Sequence, residues 1–221
     1  MLQAILFDLD GVICTTDEYH YLAWKAMADT MGIYFDRAIN NRLRGVSRMA
    51  SLEIILERYT GESLSDARKT ELAAMKNDTY RKLLANMSPV DLTDEVRTTL
   101  SALRSSGLKL GIGSSSKNTP FILERIGLGN YFDAVSDGNN IVNSKPDPEV
   151  FLKGAQFLGE TPENCLVVED AVSGAEAGHR GGFLVACVGD AAASNAGDFN
   201  LTAFGQLMEI AAQLRKGTAS I

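Results

Sequence analysis

The sequence predicts an α/β protein: a doubly wound parallel sheet interrupted, after its first strand, by an inserted all-helical domain. Three observations carry this reading. The chain opens on a continuous apolar run, Leu2, Ala4, Ile5, Leu6 and Phe7, that ends in Asp8, Asp10 and Gly11. With no polar alternation, the run suits a strand covered on both faces, as in parallel sheets. Residues 17–87 then show helical spacing and no convincing strand, which marks an insertion. From residue 88 onward helices and short apolar strands alternate, implying right-handed crossovers and helices on both faces of the sheet. Residues 1–16 and 88–221 are thus assigned to an α/β core domain and residues 17–87 to a helical cap domain.

Residues 12–16 read as a linker. The first cap helix covers residues 17–31, with Tyr19, Leu22, Ala23, Ala26 and Met27 on its inner face and Gly32 as its stop. A second covers residues 37–43, and a third spans 47–59 with Leu52, Ile55, Leu56 and Tyr59 on one face. Between them, Arg44-Gly-Val-Ser-Arg48 is a small loop with two guanidiniums. Ser65 opens a long helix reaching residue 86, with Leu72, Met75, Tyr80, Leu83 and Leu84 inside. In the core, helices over 94–105, 118–126, 148–158 and 173–180 alternate with strands over 108–113, 134–136, 165–169 and 183–188. Gly107 and Gly127 stop the first two of those helices. Residues 197–203 add an edge strand, 204–215 a closing helix, and 216–221 fray.

The 221 residues, 45% hydrophobic and 22% charged, can bury a full core. A formal charge of −7 argues against a nucleic-acid surface and leaves a small anionic substrate open only where a few cations converge. Cys14, Cys165 and Cys187 show no CxxC spacing. The latter two lie in apolar runs and read as buried free thiols in a reducing compartment, with Cys14 as the accessible one. No apolar stretch has the length of a membrane span, and the N-terminus lacks a secretory pattern; a cytoplasmic location without membrane partners is expected.

The chemistry collects at strand ends. Asp8 and Asp10 stand just past the carboxyl end of the first strand, where open α/β sheets place ligands. Two neighbouring carboxylates repel unless a cation separates them or they share a proton, so the pair implies a divalent metal or an acid/base division of labour. The strand over 108–113 ends in Ser114-Ser-Ser-Lys-Asn118. Its hydroxyls, N–H groups and following helix suit a phosphate, although one serine or Asn118 could equally cap that helix. Lys145 sits in the proline-stiffened turn Ser144-Lys-Pro-Asp-Pro148, and Glu169-Asp170 ends a further strand, with helix capping as the plainer role for Asp170. As an ordered set, these residues make a magnesium and phosphate site. One carboxylate is free to attack phosphorus and another to manage a hydroxyl proton.

This set resembles the haloacid dehalogenase superfamily, whose four motifs match Asp8-Leu-Asp10-Gly11, Ser114, Lys145 and Glu169-Asp170; the resemblance spans nearly the whole chain. It implies a Rossmann-type core, with Asp8 as a nucleophile forming an aspartyl-phosphate and Asp10 as general acid/base. It also implies Ser114 and Lys145 as phosphate ligands. Mg²⁺ would be held by Asp8, the Asp10 carbonyl and Asp170, with Glu169 adjacent. Within the superfamily, the cap after the first motif is similar to that of the sugar-phosphate mutase branch. Asp17-Glu-Tyr-His20, Leu43-Arg-Gly-Val-Ser-Arg48, Lys76-Asn-Asp78, Ser114-Ser-Ser-Lys-Asn118 and Ser144-Lys-Pro-Asp-Pro148 carry that likeness.

The implied reaction is interconversion of β-glucose 1-phosphate and glucose 6-phosphate through glucose 1,6-bisphosphate, by a monomer. Arg48 would grip the distal phosphate, with Gly45, Val46 and Ser51 lining the cap side and His20 on the reacting sugar hydroxyl. Lys76 would approach Asp8 from the cap, and Thr16, Arg44, Ser116, Lys117 and Asn118 would complete the site. A mutase needs a second anion site opposite the first, and the planar fork of Arg48 suits it. Two departures stand out: threonine at position 15, where relatives commonly carry aspartate, and Arg44 in place of a lysine. The rival readings are a Mg-dependent sugar-phosphate phosphatase on the same machinery and a non-enzymatic phosphate-binding or receiver protein.

Overall fold

The computed structural model describes residues 1–44 and 46–217. Gly45, expected on the cap side, and the expected fraying of residues 218–221 lie outside them. The chain divides into two compact units, Met1–Thr15 with Ser88 onward, and Thr16–Met87. Thr16 therefore goes with the helices.

Strand β1 (Ala4–Phe7) is buried at every position. The helical unit that follows contains α1 (Asp17–Thr30), α2 (Arg37–Asn41), α3 (Arg48–Leu56) and α4 (Asp66–Leu84). Three of them begin on side-chain caps: Asp36 accepts from the Ile39 N–H at 2.9 Å, Ser47 from Ala50 at 3.4 Å and Ser65 from Arg68 at 3.3 Å. Each cap satisfies one of the orphan donors of a first turn. Trp24, Met27, Ile33, Phe35, Leu52, Ile55 and Leu72 form the core of this unit.

Two inner faces differ from the expected ones. On α1, Ala23, Trp24, Met27 and Ala28 are buried, whereas Leu22 and Ala26 are exposed. The helical period is as expected, but the buried face is turned toward Trp24 and Ala28, because alanine and leucine occur on both sides of this helix. On α4, Met75 is exposed, and a lysine, Lys76, is buried beside Leu72, Ala73, Tyr80 and Leu84.

In the other unit, α5 (Asp94–Ser105), β2 (Lys109–Gly113), α6 (Thr119–Arg125), β3 (Ala134–Ser136), α7 (Glu149–Leu158) and β4 (Cys165–Glu169) alternate. They are followed by α8 (Val172–Arg180), β5 (Leu184–Cys187), α9 (Gly189–Ala193), β6 (Phe199–Asn200) and α10 (Leu207–Lys216). The six strands pair in parallel in the order β3-β2-β1-β4-β5-β6. This is a Rossmann-type α/β fold, as the alternating pattern predicts. The short α9 and the single-turn helices Pro89–Asp91 and Pro162–Asn164 were not anticipated. Leu6, Val150, Phe151, Ala155, Val167, Phe183 and Val185 anchor the core between sheet and helices. Each large apolar side chain fully buried there contributes about 1.5–3 kcal/mol.

All three cysteines are free and buried. Cys14 corrects the expectation of an accessible thiol: it is 6% exposed, folded back under the acidic turn, and burial followed by the charges of Asp10 and Asp8 pushes its ionisation upward. Among the described residues no helix is long and apolar enough to cross a membrane.

Candidate active site

The site on the sheet unit is built by register. Phe7 pairs with Ile112 of β2 on one side and with Val168 of β4 on the other. One step beyond, Asp8 therefore comes level with Gly113 and Glu169, and its N–H donates to the Val168 carbonyl at 2.9 Å. The chain then turns: the Gly11 N–H donates to Cys14 O at 2.7 Å, and the Ile13 and Cys14 N–H groups donate to Leu9 O at 3.0 and 3.2 Å. Gly11 has φ +89°, and a Cβ there would lie 2.1 Å from the Asp170 carboxylate. Glycine meets both demands: it adopts the left-handed backbone and leaves space for a neighbouring acid.

Lys145 is the cation of this cluster. Its buried ammonium donates to Asp8 Oδ1 and to Glu169 Oε1 and lies 4.6 Å from the centroid of Phe151. The peptide bond from Lys145 to Pro146 is cis. The loop carrying them is tied down by Glu149, whose carboxylate accepts from the N–H groups of Val142 and Asn143 at 3.0 and 2.8 Å.

Glu169 is 1% exposed, and its second oxygen accepts from the N–H groups of Asp170 and Ala171 at 2.9 and 3.0 Å. Both of its oxygens are thus engaged. Glu169, expected beside the ion, here holds Lys145 with one oxygen and the first N–H groups leading into α8 with the other. Asp170 does not cap that helix; the cap position belongs to Ala171. The unforeseen α9 instead fixes the Asp170 backbone, since the Ala191 N–H donates to Asp170 O at 2.8 Å.

The electrostatics follow from crowding. Burial pushes the Asp170 carboxyl up to about 8, with further upward contributions from Asp8, Glu169 and Asp10 against the downward pull of Lys145. Asp8 is raised by burial as well, opposed by Lys145. The Lys145 ammonium is raised despite burial, because two carboxylates face it, and it stays charged.

Ser114 is buried at the end of β2, and its N–H donates to Ser136 O at 3.0 Å. The Ser116 N–H donates to Ser114 Oγ at 3.2 Å, the Asn118 N–H to Ser116 Oγ at 3.1 Å, and Thr119 Oγ1 to Ser116 O at 2.9 Å. Two of the N–H groups expected to face an anion, those of Ser116 and Asn118, are therefore satisfied within the loop. Lys117 is exposed, Asn118 is buried, and the Ser115 hydroxyl oxygen is buried without a hydrogen-bond partner.

The helical unit gathers a second set of expected residues. Lys76 is 3% exposed; its ammonium lies 2.8 Å from His20 Nδ1, 4.3 Å from the Tyr80 ring centroid and 4.9 Å from that of Trp24. A cation between two aromatic faces gains from both ring quadrupoles. Burial, then Lys76, then Arg48 holds His20 well below its ordinary range, so the imidazole is neutral and accepts from the ammonium. Tyr80 OH donates to Thr16 Oγ1 at 3.0 Å. Arg48 opens α3, half-buried, within electrostatic reach of Tyr80 and Asp78. The Val46 carbonyl and Ser51 Oγ are 3.5 Å apart. Arg44 donates to Asp17 of α1, an ion pair with both members more than a third exposed. Of the two rings that flank the lysine, Tyr80 is expected from the sequence only as an inner residue of its helix, and Trp24 is not on the expected inner face of α1.

With this geometry in place, similarity to known proteins becomes informative. Residues 2–182 match the family described as haloacid dehalogenase-like hydrolase. The chain belongs to that family. It is 41% identical over 189 residues to β-phosphoglucomutase of Bacillus subtilis, covering 85% of this chain and 84% of that protein. It is 31% identical over 180 residues to a fructose-1-phosphate phosphatase of Escherichia coli, covering 81% and 92%. The crystal structure of β-phosphoglucomutase from Clostridium difficile matches with a TM-score of 0.90 at 33% identity, over 98% of this chain and 99% of that one.

Proposed function

We propose that this family member is a β-phosphoglucomutase, interconverting β-glucose 1-phosphate and glucose 6-phosphate through an aspartyl-phosphate and glucose 1,6-bisphosphate. The observation that carries the reading is a pair of cationic stations. In the sheet unit Lys145 is bonded to Asp8 and Ser114 follows β2, the strand paired with the one before Asp8, while Arg48 and Lys76 stand with neutral His20 in the helical unit. A hydrolase needs one phosphate station; a mutase, which holds a phosphate at each end of one sugar, needs two. The identity to the Bacillus subtilis enzyme supports the same choice.

In this mechanism an Asp8 oxygen attacks phosphorus as the bond from phosphorus to the departing oxygen breaks, and Lys145 neutralises the charge gathered there. Asp10, half-buried in the turn that the left-handed Gly11 makes possible, gives a proton to the leaving oxygen and takes one from the entering hydroxyl. Ser114 donates to the transferring phosphoryl group, with Ser116, Lys117 and Asn118 beside it. Arg48 holds the distal phosphate. His20 orients the sugar hydroxyl, with Thr16, Arg44, Val46 and Ser51 around it.

The donor set fits Mg²⁺. Asp8 and Glu169 share the Lys145 ammonium, and the repulsion from Asp8, Glu169 and Asp10 that adds to burial in raising Asp170 is what a divalent cation relieves. Among the described residues no three His, Cys, Asp or Glu side chains form a ready metal cluster. Asp8, Asp170 and the Asp10 carbonyl would hold the ion, with two side chains and one backbone oxygen; the Asp10 side chain and Glu169 are left for the proton and for Lys145. When bound, Mg²⁺ supplies charge stabilisation at the transferring phosphoryl group. We further propose a cytoplasmic monomer.

The test is an assay of β-glucose 1-phosphate with Mg²⁺ and a trace of the 1,6-bisphosphate, following glucose 6-phosphate and free phosphate together. Isomerisation well ahead of phosphate release supports the mutase. Phosphate release without isomerisation identifies a phosphatase.

A further inference from the structure

The loop over residues 114–118 is held from outside by a turn that plays no part in the chemistry described above. β3 ends at Ser136 and runs into Asp137-Gly138-Asn139-Asn140. The Gly138 N–H donates to Ser116 O at 3.2 Å, and Asn139 Nδ2 donates to Lys117 O at 3.1 Å. A Cβ on Gly138 would stand 2.5 Å from Ser115 O, 2.9 Å from Lys117 N and 2.9 Å from Lys117 Cγ. The φ of Gly138 lies outside the left-handed region, so glycine is required here for space and not for conformation. Three successive residues of the serine loop thus rest on two successive residues of the turn.

The turn is itself rigid. The buried Asp137 carboxylate accepts from the Asn139 N–H at 2.8 Å and from Asn139 Nδ2 at 3.1 Å. Asn140 Oδ1 accepts from Ser136 Oγ at 3.1 Å and from the Asp137 N–H at 3.3 Å, and Asn140 O accepts from Lys153 of α7. Asn139 is thereby pinned by Asp137 while it holds Lys117, and a polar group fixed at one end transmits its position to the other.

We propose that Gly138 and Asn139 are positioning residues of the phosphate site: they set the path of the backbone through Ser115, Ser116 and Lys117 and so determine affinity for a phosphate dianion. The proposal rests on the reading of this loop as a phosphate-binding element. A displaced loop keeps its hydroxyls but aims them elsewhere, and geometry of this kind is sensitive to shifts well under 1 Å.

The experiment measures inorganic phosphate affinity, as competitive inhibition of the Mg²⁺-supplemented enzyme, alongside thermal midpoints for Gly138→Ala, Asn139→Ala, Ser114→Ala and Arg104→Lys. Arg104 bonds Asp133 and Tyr131 O before β3 and touches neither the loop nor the turn, so it reports general destabilisation. The expected result is a loss of roughly five- to tenfold in phosphate affinity for Gly138→Ala and Asn139→Ala, the equivalent of one hydrogen bond, with Arg104→Lys unchanged in affinity. Affinity within twofold of wild type in both turn variants, while Ser114→Ala weakens binding, overturns the bracing role. Parallel loss in Arg104→Lys overturns it too, by showing that affinity merely follows stability. If Ser114→Ala binds phosphate normally, the loop reading fails and the proposal falls with it.

Discussion

One buried ammonium, that of Lys145, donates to both Asp8 and Glu169, side chains that leave the sheet from neighbouring strands. Burial raises the carboxyl of the proposed nucleophile, and the lysine opposes that rise. Removing it by Lys145→Met leaves two like charges buried together. We expect turnover to fall about 10²- to 10³-fold and stability at neutral pH to fall by about 3–5 kcal/mol before relief by proton uptake. Lys145→Arg should not restore turnover, since a planar guanidinium cannot stand where a compact ammonium bridges two strands. Steady-state assays and urea titrations of the three proteins check this.

Gly174 lies in α8 directly beneath Glu169, and a Cβ there would come within 1.9 Å of the Glu169 carboxylate. That carboxylate is pinned from three sides and cannot simply move away. Gly174→Ala should therefore cost about tenfold or more in turnover through a misplaced Lys145. Stability should fall too, because a methyl forced against a group that cannot yield costs about 1–3 kcal/mol, offset in part by about 1 kcal/mol of helix propensity. Thermal midpoints and steady-state assays check this, and preserved turnover would contradict it.

His20 gives the helical unit a pH dependence with a definite sign. Its folded pKa lies well below 6.5, so between those two values the unfolded chain binds a proton that the folded unit refuses. Stability is complete above about pH 6.5 and falls as pH drops below it, by at most about 1.4 kcal/mol per unit. Trp24, the sole tryptophan, lies beside Lys76 and reports unfolding of this unit by fluorescence. Wild type should lose stability relative to His20→Asn between pH 6.5 and 4.5. Lys76→Met should shrink that loss by raising the imidazole pKa, because the charge of Lys76 is one of the causes holding it down.

Asp8 and Asp10 have separate duties in the proposed mechanism, and the two amide variants should separate them. Asp8→Asn abolishes phosphoenzyme formation. Asp10→Asn leaves Mg²⁺ affinity within a few-fold of wild type, since only the Asp10 carbonyl is assigned to the ion, yet it cripples transfer to and from the sugar by about 10²- to 10⁴-fold. Titration calorimetry with Mg²⁺ and a phosphoenzyme assay distinguish the two, and equal loss of metal binding in both would refute the division.

Much of the fold is legible in the chain because its signals are local. An unbroken apolar run such as residues 4–7 suits only a strand covered on both sides, and the serine and aspartate caps of α2, α3 and α4 satisfy donors of their own first turns. Asp8, Asp10, Ser114, Lys145, Glu169 and Asp170 are recognisable as a set because each ends a strand or occupies a turn at one sheet edge. What stayed hidden depends on contacts between segments distant in sequence. The buried face of α1 needs its neighbours to choose between two apolar stripes. Burial of Lys76 needs Trp24 and His20 of α1 to arrive against its own helix. The partner of Glu169 is Lys145, 24 residues away, which only the tertiary structure brings to it. Gly138 and Asn139 look like any polar turn until the register of β2 against β3 lays them under the serine loop. Residue types and spacing thus specify which groups the chemistry uses, while packing between separate strands and helices decides which partner each group holds and therefore what charge it carries.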